Sequence, residues 1–352
     1  MLSSEKKNIN KTTKKKPSPL LPPTPQPTQN LYLPDDLLLS CFARVSRLYY
    51  PELSLLSKSF RSLFASQELY KIRSVLGHTE SCLYVYLRFF QNPNLRWFTL
   101  CRRPNRTQTE KKKLGTNLLV RITSPHSTPP CSSYTAVGSD IYEIGGLASS
   151  TVSVFDCMPH SWHQAPNMQV ARKNPDVKAI DGKIYVKGNT EFSNETDDLV
   201  EVFDPKSQIW TYESKKWKSL DGYYKSKDWR SRCCCCEIDN VLYNYDRGKF
   251  KWLDNKVRDG GILKGFIGVG LPNVSCSKTS SQVQLADYGG KMAVLWDMHD
   301  YSSKRKGRNV WCAVIALERR SSKEIWGTLE WSEVVLKVPK DFIFVDVLSA
   351  TV

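Results

Sequence analysis

The chain has 352 residues, of which 40% are apolar and 11% aromatic, and a formal net charge of +16. That composition suits one large globular domain or two, and a mean hydropathy of −0.43 with no long uncharged apolar run argues against a membrane span. The charge is dispersed: six lysines and one glutamate give the first 29 residues +5, and the short clusters Lys111–Lys113 and Lys304–Arg308 read as solvated loops, not as the concentrated stripe a nucleic-acid binder carries. Residues 1–30 are Lys- and Pro-rich, with six prolines between Pro17 and Pro27, and are predicted to be a disordered tail because they bury too little to offset chain entropy. Residues 31–77 read as three short helices. Pro34 pre-sets φ at the first helix start, and Asp35 and Asp36 suit the positive end of its dipole. Leu38, Cys41, Phe42 and Val45 recur at i, i+3, i+4 and i+7, and Leu37 and Leu39 widen that face beyond what packing into a single core needs. The second helix opens at Pro51, with Leu53, Leu56, Phe60 and Leu63 inward and Lys58 and Arg61 outward. The third starts near Ser66, turns Leu69, Ile72 and Leu76 inward and closes on Gly77. So small a core is marginal alone and gains from a partner or a neighbouring domain.

After Glu80 the pattern changes to strands of four to eight residues, such as Cys82–Phe89, Arg96–Leu100, Leu118–Ile122 and Tyr134–Val137. A repeat then decides the architecture. Residues 139–166, SDIYEIGGLASSTVSVFDCMPHSWHQAP, and residues 181–210, DGKIYVKGNTEFSNETDDLVEVFDPKSQIW, share a turn, Ile-Tyr, glycine, Val-x-Phe-Asp and a closing Trp. Ile141 with Tyr142, and Ile184 with Tyr185, place one side chain on each sheet surface. Gly145, Gly146 and Gly188 allow tight turns or close backbone approach. Phe155 and Phe203 lie on the next strand, Asp156 and Asp204 start turns, and Trp162 and Trp210 are large enough to fill the space between neighbouring sheets. A degraded third unit spans residues 239–254, with Trp252 near its end, and a fourth begins at residues 289–297 and ends near Trp331. Sheets that cannot bury both faces alone stack radially.

This repeat resembles the kelch motif, and the opening segment resembles an F-box: Leu33-Pro34 before acidic residues, an apolar helix, then residues 53–64, LSLLSKSFRSLF, where Leu56, Ser57, Lys58, Phe60, Arg61 and Leu63 match the family pattern. The order F-box then kelch repeats is similar to a large plant family. The resemblance implies an α+β multidomain chain: a small three-helix F-box module over residues 31–77, then an all-β kelch-type propeller over residues 80–352, with blade number and ring closure open. It implies the substrate-recognition subunit of a Skp1-cullin-F-box ubiquitin ligase, itself non-catalytic and without a cofactor, partnered by a Skp1-type adaptor, through it a cullin, and a protein substrate of unknown identity, in cytoplasm or nucleus, with no nucleic acid or membrane. Adaptor contacts are expected from Leu33, Pro34, Leu37, Leu38, Cys41, Phe42 and Val45, with Leu53, Leu56 and Phe60 shared between contact and internal packing; a helix laid into an apolar groove is the expected mode. The alternative keeps the fold and drops the ligase, leaving a kelch scaffold or ligand-binding module.

Other chemistry is discounted. In Cys233–Cys236 at most Cys233 with Cys235, or Cys234 with Cys236, could share a zinc site, since alternate side chains of a strand point to opposite faces; neither pair has an obvious His or Cys partner nearby, and they read as strand core. The eleven cysteines, odd in number and irregularly spaced, with no secretory segment before them, point to reduced thiols. His160 and His163 read as solvent-exposed turn residues. Arg172, Lys173, Lys225 and Arg230 are candidates for attracting an acidic target.

Overall fold

Helix α1 (Asp35–Phe42) starts behind Pro34, whose carbonyl accepts from the backbone N–H groups of Leu37 and Leu38. The computed structural model describes residues 33–90, 92–103, 115–123, 131–190, 200–212, 235–254, 256–257, 259–265, 271, 283–300 and 307–352. The tail expected over residues 1–30, the cluster Lys111–Lys113, most of the cluster at 304–308, and Cys233, Cys234, Lys225 and Arg230 lie outside the described residues.

Four short helices replace the three that the periodicity suggests. After α1 comes a 3-10 turn (Arg47–Tyr49) capped by Ser46, and then α2 (Tyr50–Leu53), with Pro51 in its first turn. The run through Leu63 is broken at Ser57, which is extended (φ −154) and whose hydroxyl accepts from the Ser59 N–H to open α3 (Lys58–Phe64). A serine competes for backbone hydrogen bonds and so favours a cap over a helix interior. Ser66 caps α4 (Gln67–Val75), and Gly77, at φ +67, lets the His78 N–H return to the Arg73 carbonyl. Two inward assignments are corrected: Leu56, in the turn before Ser57, is 69% exposed, and Leu76, at the C-cap of α4, is 38% exposed. Leu39, Phe42, Tyr50, Phe64 and Leu69 make the buried core, with Leu38, Val45, Leu53, Phe60, Leu63 and Ile72 packed against it.

Among the described residues, the remainder is a propeller of five four-stranded antiparallel sheets. Blade one holds β1 (Ser81–Phe89), β2 (Asn92–Arg102) and β3 (Asn117–Arg121). Blade two holds β4 (Ser133–Val137), β5 (Asp140–Ile144), β6 (Val152–Asp156) and β7 (Ser161–Gln164). Blade three holds β8 (Arg172–Ile180), β9 (Lys183–Thr190), β10 (Glu201–Asp204) and β11 (Ile209–Tyr212). Blade four holds β12 (Cys235–Ile238), β13 (Val241–Asp246), β14 (Lys249–Asp254) and β15 (Asp259–Ile262). Blade five holds β16 (Gln284–Asp287), β17 (Met292–Asp300), β18 (Gly307–Ser321) and β19 (Glu324–Pro339). The last strand, β20 (Phe342–Thr351), returns to blade one and pairs along β1 from Ser81↔Thr351 to Phe89↔Phe342, so the two ends of the propeller sequence share one sheet.

Alternation along each strand builds the core between blades. On β1, Leu83, Val85 and Leu87 face blade five, and Tyr84 and Tyr86 face blade two. Tyr142, Val152, Ile184 and Phe203 join blades two and three, and Tyr243, Trp252, Trp296 and Ile315 join blades four and five. The repeat residues take equivalent places: Ile141 pairs with Phe155 and Phe155 with Trp162, as Ile184 pairs with Phe203 and Phe203 with Trp210. Asp156 and Asp204 accept from the N–H two residues on (Met158, 2.8 Å; Lys206, 2.9 Å), and Asp254 does the same for Lys256 at 2.8 Å. Asp254 is thus the third-repeat counterpart of the pair, whereas Trp252 stands on the third strand of its blade rather than the fourth. Gly260 holds the position of the closing Trp, opposite Leu253. Gly145 and Gly188 both abut Pro175 of β8: a β-carbon would meet Pro175 Cγ at 2.8 Å from the first and Pro175 Cα at 3.1 Å from the second.

Candidate docking face and its junction with the propeller

Leu37 (53%) and Cys41 of α1 stand in solvent, as do Leu33 (47%) and Pro34 just before it; Leu37 and Cys41 are four residues apart and share a face. The turn between α2 and α3 adds Leu55 (75%) and Leu56 (69%). Leu38, Val45, Leu53 and Phe60 are half-buried and come together in the helical core. Phe42 is corrected from contact to core: its ring lies 4.8 Å from Phe60 and 4.7 Å from Phe64, and 8% of the residue is exposed. Sequence reasoning missed Leu55, which lies off the stripe of Leu53, Leu56, Phe60 and Leu63 and stands in the turn after α2. Covering a leucine contributes about 1.5–3 kcal/mol, so the four exposed leucines are a substantial unused resource.

Arg73 of α4 holds this module together and to the propeller. It is 1% exposed, and its Nη1 donates to the carbonyls of Ala43 (3.1 Å) and Val45 (2.6 Å) and to the Tyr50 hydroxyl (3.0 Å). Its Nη2 donates to the His78 carbonyl (2.7 Å) and pairs with Glu80 (3.0 Å), which also accepts the Arg47 N–H (2.7 Å). Arg47 Nη2 donates to the Cys157 carbonyl of blade two at 2.8 Å, and the Tyr70 hydroxyl lies 3.1 Å from the Met158 carbonyl. The helical module is thereby pinned to one end of blades one and two. Arg73→Met strips several buried acceptors of their donor and leaves Glu80 without its ion pair. The expected cost is about 3–5 kcal/mol in the chemical unfolding of the helical signal at 222 nm. A loss below about 1 kcal/mol would contradict this role.

His160 is corrected from solvent-exposed turn residue to part of this junction. It sits at φ +57, its ring stacks on Phe155 at 5.7 Å and meets Tyr84 edge-on at 6.0 Å, and its Nε2 lies 3.3 Å from both Arg47 Nη2 and Tyr84 Oη. Burial, then the Arg47 charge, push its pKa from 6.5 down to about 3. The folded value lies below the unfolded one. The neutral ring's contribution is therefore complete above pH 6.5 and is lost as pH falls from there towards 3. By pH 5 the loss is about 2 kcal/mol. His160→Asn tolerates the left-handed backbone and does not titrate. Urea midpoints at pH 7.5 and 5.0 should fall further for the native chain than for this variant, and equal falls would remove His160 as the cause. His163 is exposed, as expected.

On the propeller, Arg172 is withdrawn as a surface cation: it is fully buried, with Nε 3.1 Å from Glu201 Oε2 and Nη1 donating to the Gly188 carbonyl at 2.9 Å. Lys173 remains exposed. Ile141, Tyr142, Phe155, Ile184, Tyr185, Phe203 and Trp210 are buried and Trp162 partly so. Cys235 and Cys236 are half-buried on β12, and among the described residues no three His, Cys, Asp or Glu side chains gather as a metal site. Strand direction fixes two ends: turns between first and second strands share the end where Glu80 and Val352 exchange hydrogen bonds beside the helices. The last strand of each blade ends, and the first strand of the next begins, at the opposite end, as at Tyr212 and Cys235 and at Ile262 and Gln284.

Residues 31–72 match the F-box domain, and residues 97–227 and 211–336 match the FKB95 kelch-repeats domain. The chain is 45% identical to the Arabidopsis thaliana F-box/kelch-repeat protein At5g51250, over 91% of this chain and 99% of that one. It is equally identical (45%) to F-box/kelch-repeat protein At4g39550 of the same plant, over the whole of both chains, and to At4g39580 over 93% and 96%.

Proposed function

Because this chain belongs to the F-box/kelch-repeat proteins, we propose that it is the substrate-recognition subunit of a Skp1-cullin-F-box ubiquitin ligase. The F-box module docks a Skp1-type adaptor through Leu33, Pro34, Leu37, Cys41, Leu55 and Leu56, while Leu38, Val45, Leu53 and Phe60 set the shape of that face from beneath. The propeller holds a protein substrate, and ubiquitin transfer is performed by other subunits.

The observation that carries this reading is the set of leucines left in solvent on a module that already has a complete core of its own. A stable contact buries on the order of 1,600 Å², enough to cover such a face. The pinning of the module by Arg73, Arg47 and Tyr70 supports the same reading, because a receptor that presents a bound substrate to a distant enzyme works best when its two halves keep one orientation. The end of the propeller away from the helices is the natural substrate-reading end, since recognition on a rigid scaffold sits where its elements are joined.

Affinity capture with the proteasome blocked, using the native chain and Leu37→Glu/Leu56→Glu, tests the assignment. Ligase components are lost with the variant, and proteins retained by both are substrate candidates. A native chain that captures no adaptor would overturn the reading in favour of a kelch scaffold.

A further inference from the structure

One cavity lies apart from the docking face. It lies between the helical module and the propeller, with a volume of about 600 Å³. That is the size of a small-molecule site, typically about 300–1,000 Å³. Its walls come from both domains. Phe64, Tyr70 and Pro51 line it from the helices, and Leu100, Ile122 and Tyr288 from blades one and five.

Its charge is one-sided. Arg47, Arg61 and Arg121 line it, with Lys291 at its edge already paired to Glu330 (2.5 Å), against a single lining carboxylate, Glu80. Glu80 is already engaged by Arg73 at 3.0 Å and by the Arg47 N–H at 2.7 Å. Arg47 Nη2 is occupied by the Cys157 carbonyl, but Arg47 Nη1 is shielded from solvent and has no hydrogen-bond partner. A guanidinium N–H withdrawn from water without an acceptor is costly, and an anion in the cavity would satisfy it. The thiols that line the site do not compete for that role, since burial pushes Cys101 up to about 12 and raises Cys82.

We propose that this cavity binds a small amphipathic anion: a flat apolar body against Phe64, Leu100 and Ile122, with a carboxylate or similar group at Arg47. Such a ligand would touch both domains and so tighten their mutual orientation. The inference concerns this chain's own cavity and does not depend on the ligase assignment.

The test uses the full chain and two fluorescent probes of nearly the same body: 8-anilino-1-naphthalenesulfonate, which carries an anion, and N-phenyl-1-naphthylamine, which does not. The sulfonate should saturate at one per chain and bind at least tenfold tighter than the neutral amine. Arg47→Gln should remove that preference. Because Arg47 also anchors the module, Ala65→Trp serves as a second variant: Ala65 lines the cavity from the exposed end of α3, so the indole fills space without entering a core, and both probes should lose binding at least tenfold. Sulfonate binding that does not saturate, an affinity matched by the neutral amine, or a dissociation constant within twofold in Ala65→Trp would each overturn the proposal.

Discussion

Leu37→Glu/Leu56→Glu is expected to weaken binding of a Skp1-type adaptor by about 100-fold or more while leaving the melting temperature within a few degrees of the native value. Both side chains are more than half exposed, so the folded chain loses little by carrying a carboxylate there. In a complex the same carboxylates would be buried in an apolar contact without partners, which costs several kcal/mol each. Phe42→Glu serves as the contrasting change. Its ring is packed among Phe60 and Phe64, so it should melt the module and lose adaptor binding only through unfolding. Isothermal titration paired with thermal melts separates the two cases. A double variant that binds within threefold of the native chain would remove these leucines from the interface.

Ending the chain at Asp341, which removes β20, is expected to abolish cooperative unfolding of the propeller and drive the protein into the insoluble fraction. Phe342, Phe344 and Val347 of β20 belong to the core shared by blades one and five, and Ala350 and Val352 to the core shared by blades one and two. Phe342, Phe344 and Val347 alone contribute about 1.5–3 kcal/mol each, comparable in sum with the whole stability of a domain at about 5–15 kcal/mol. The pairing along β1 would go as well, leaving a long unpaired edge facing the channel, a template for aggregation. The first strand after the helices and the last strand of the chain make one sheet, so the ring stands or falls as a unit. A truncated chain that stays soluble and melts within a few degrees of the native one would contradict this account of closure.

What the sequence disclosed, and what it hid, follows from how local each signal is. The second and third blades are legible because their decisive residues recur at near-constant spacing, and the register Ile–Phe–Trp is the same in both. Blade one has no local period to find: its innermost strand comes from the opposite end of the chain, some 250 residues away from the strand it pairs with. The fourth blade misleads because Gly260 replaces the closing Trp, while Trp252 offers a false match one strand early. In the helical module the stripe through Val45 and Leu63 is real as burial but not as continuous helix, and the turn between α2 and α3 is what takes Leu56 out of the core. Arg73, Arg47 and His160 carry no readable signal. Their partners lie 30, 110 and 76 residues away, and a charged or titratable side chain in isolation reads as surface.

The central claim is that one polypeptide meets this chain on the exposed leucines of its F-box module while the propeller's far end stays free. Hydrogen–deuterium exchange of the full chain, with and without a purified Skp1-type adaptor, tests it most directly. The account predicts protection confined to peptides covering residues 33–45 and 53–60, with exchange unchanged across the blades. Protection that falls on the propeller connections and spares the helices, or none at a saturating adaptor concentration, would contradict it.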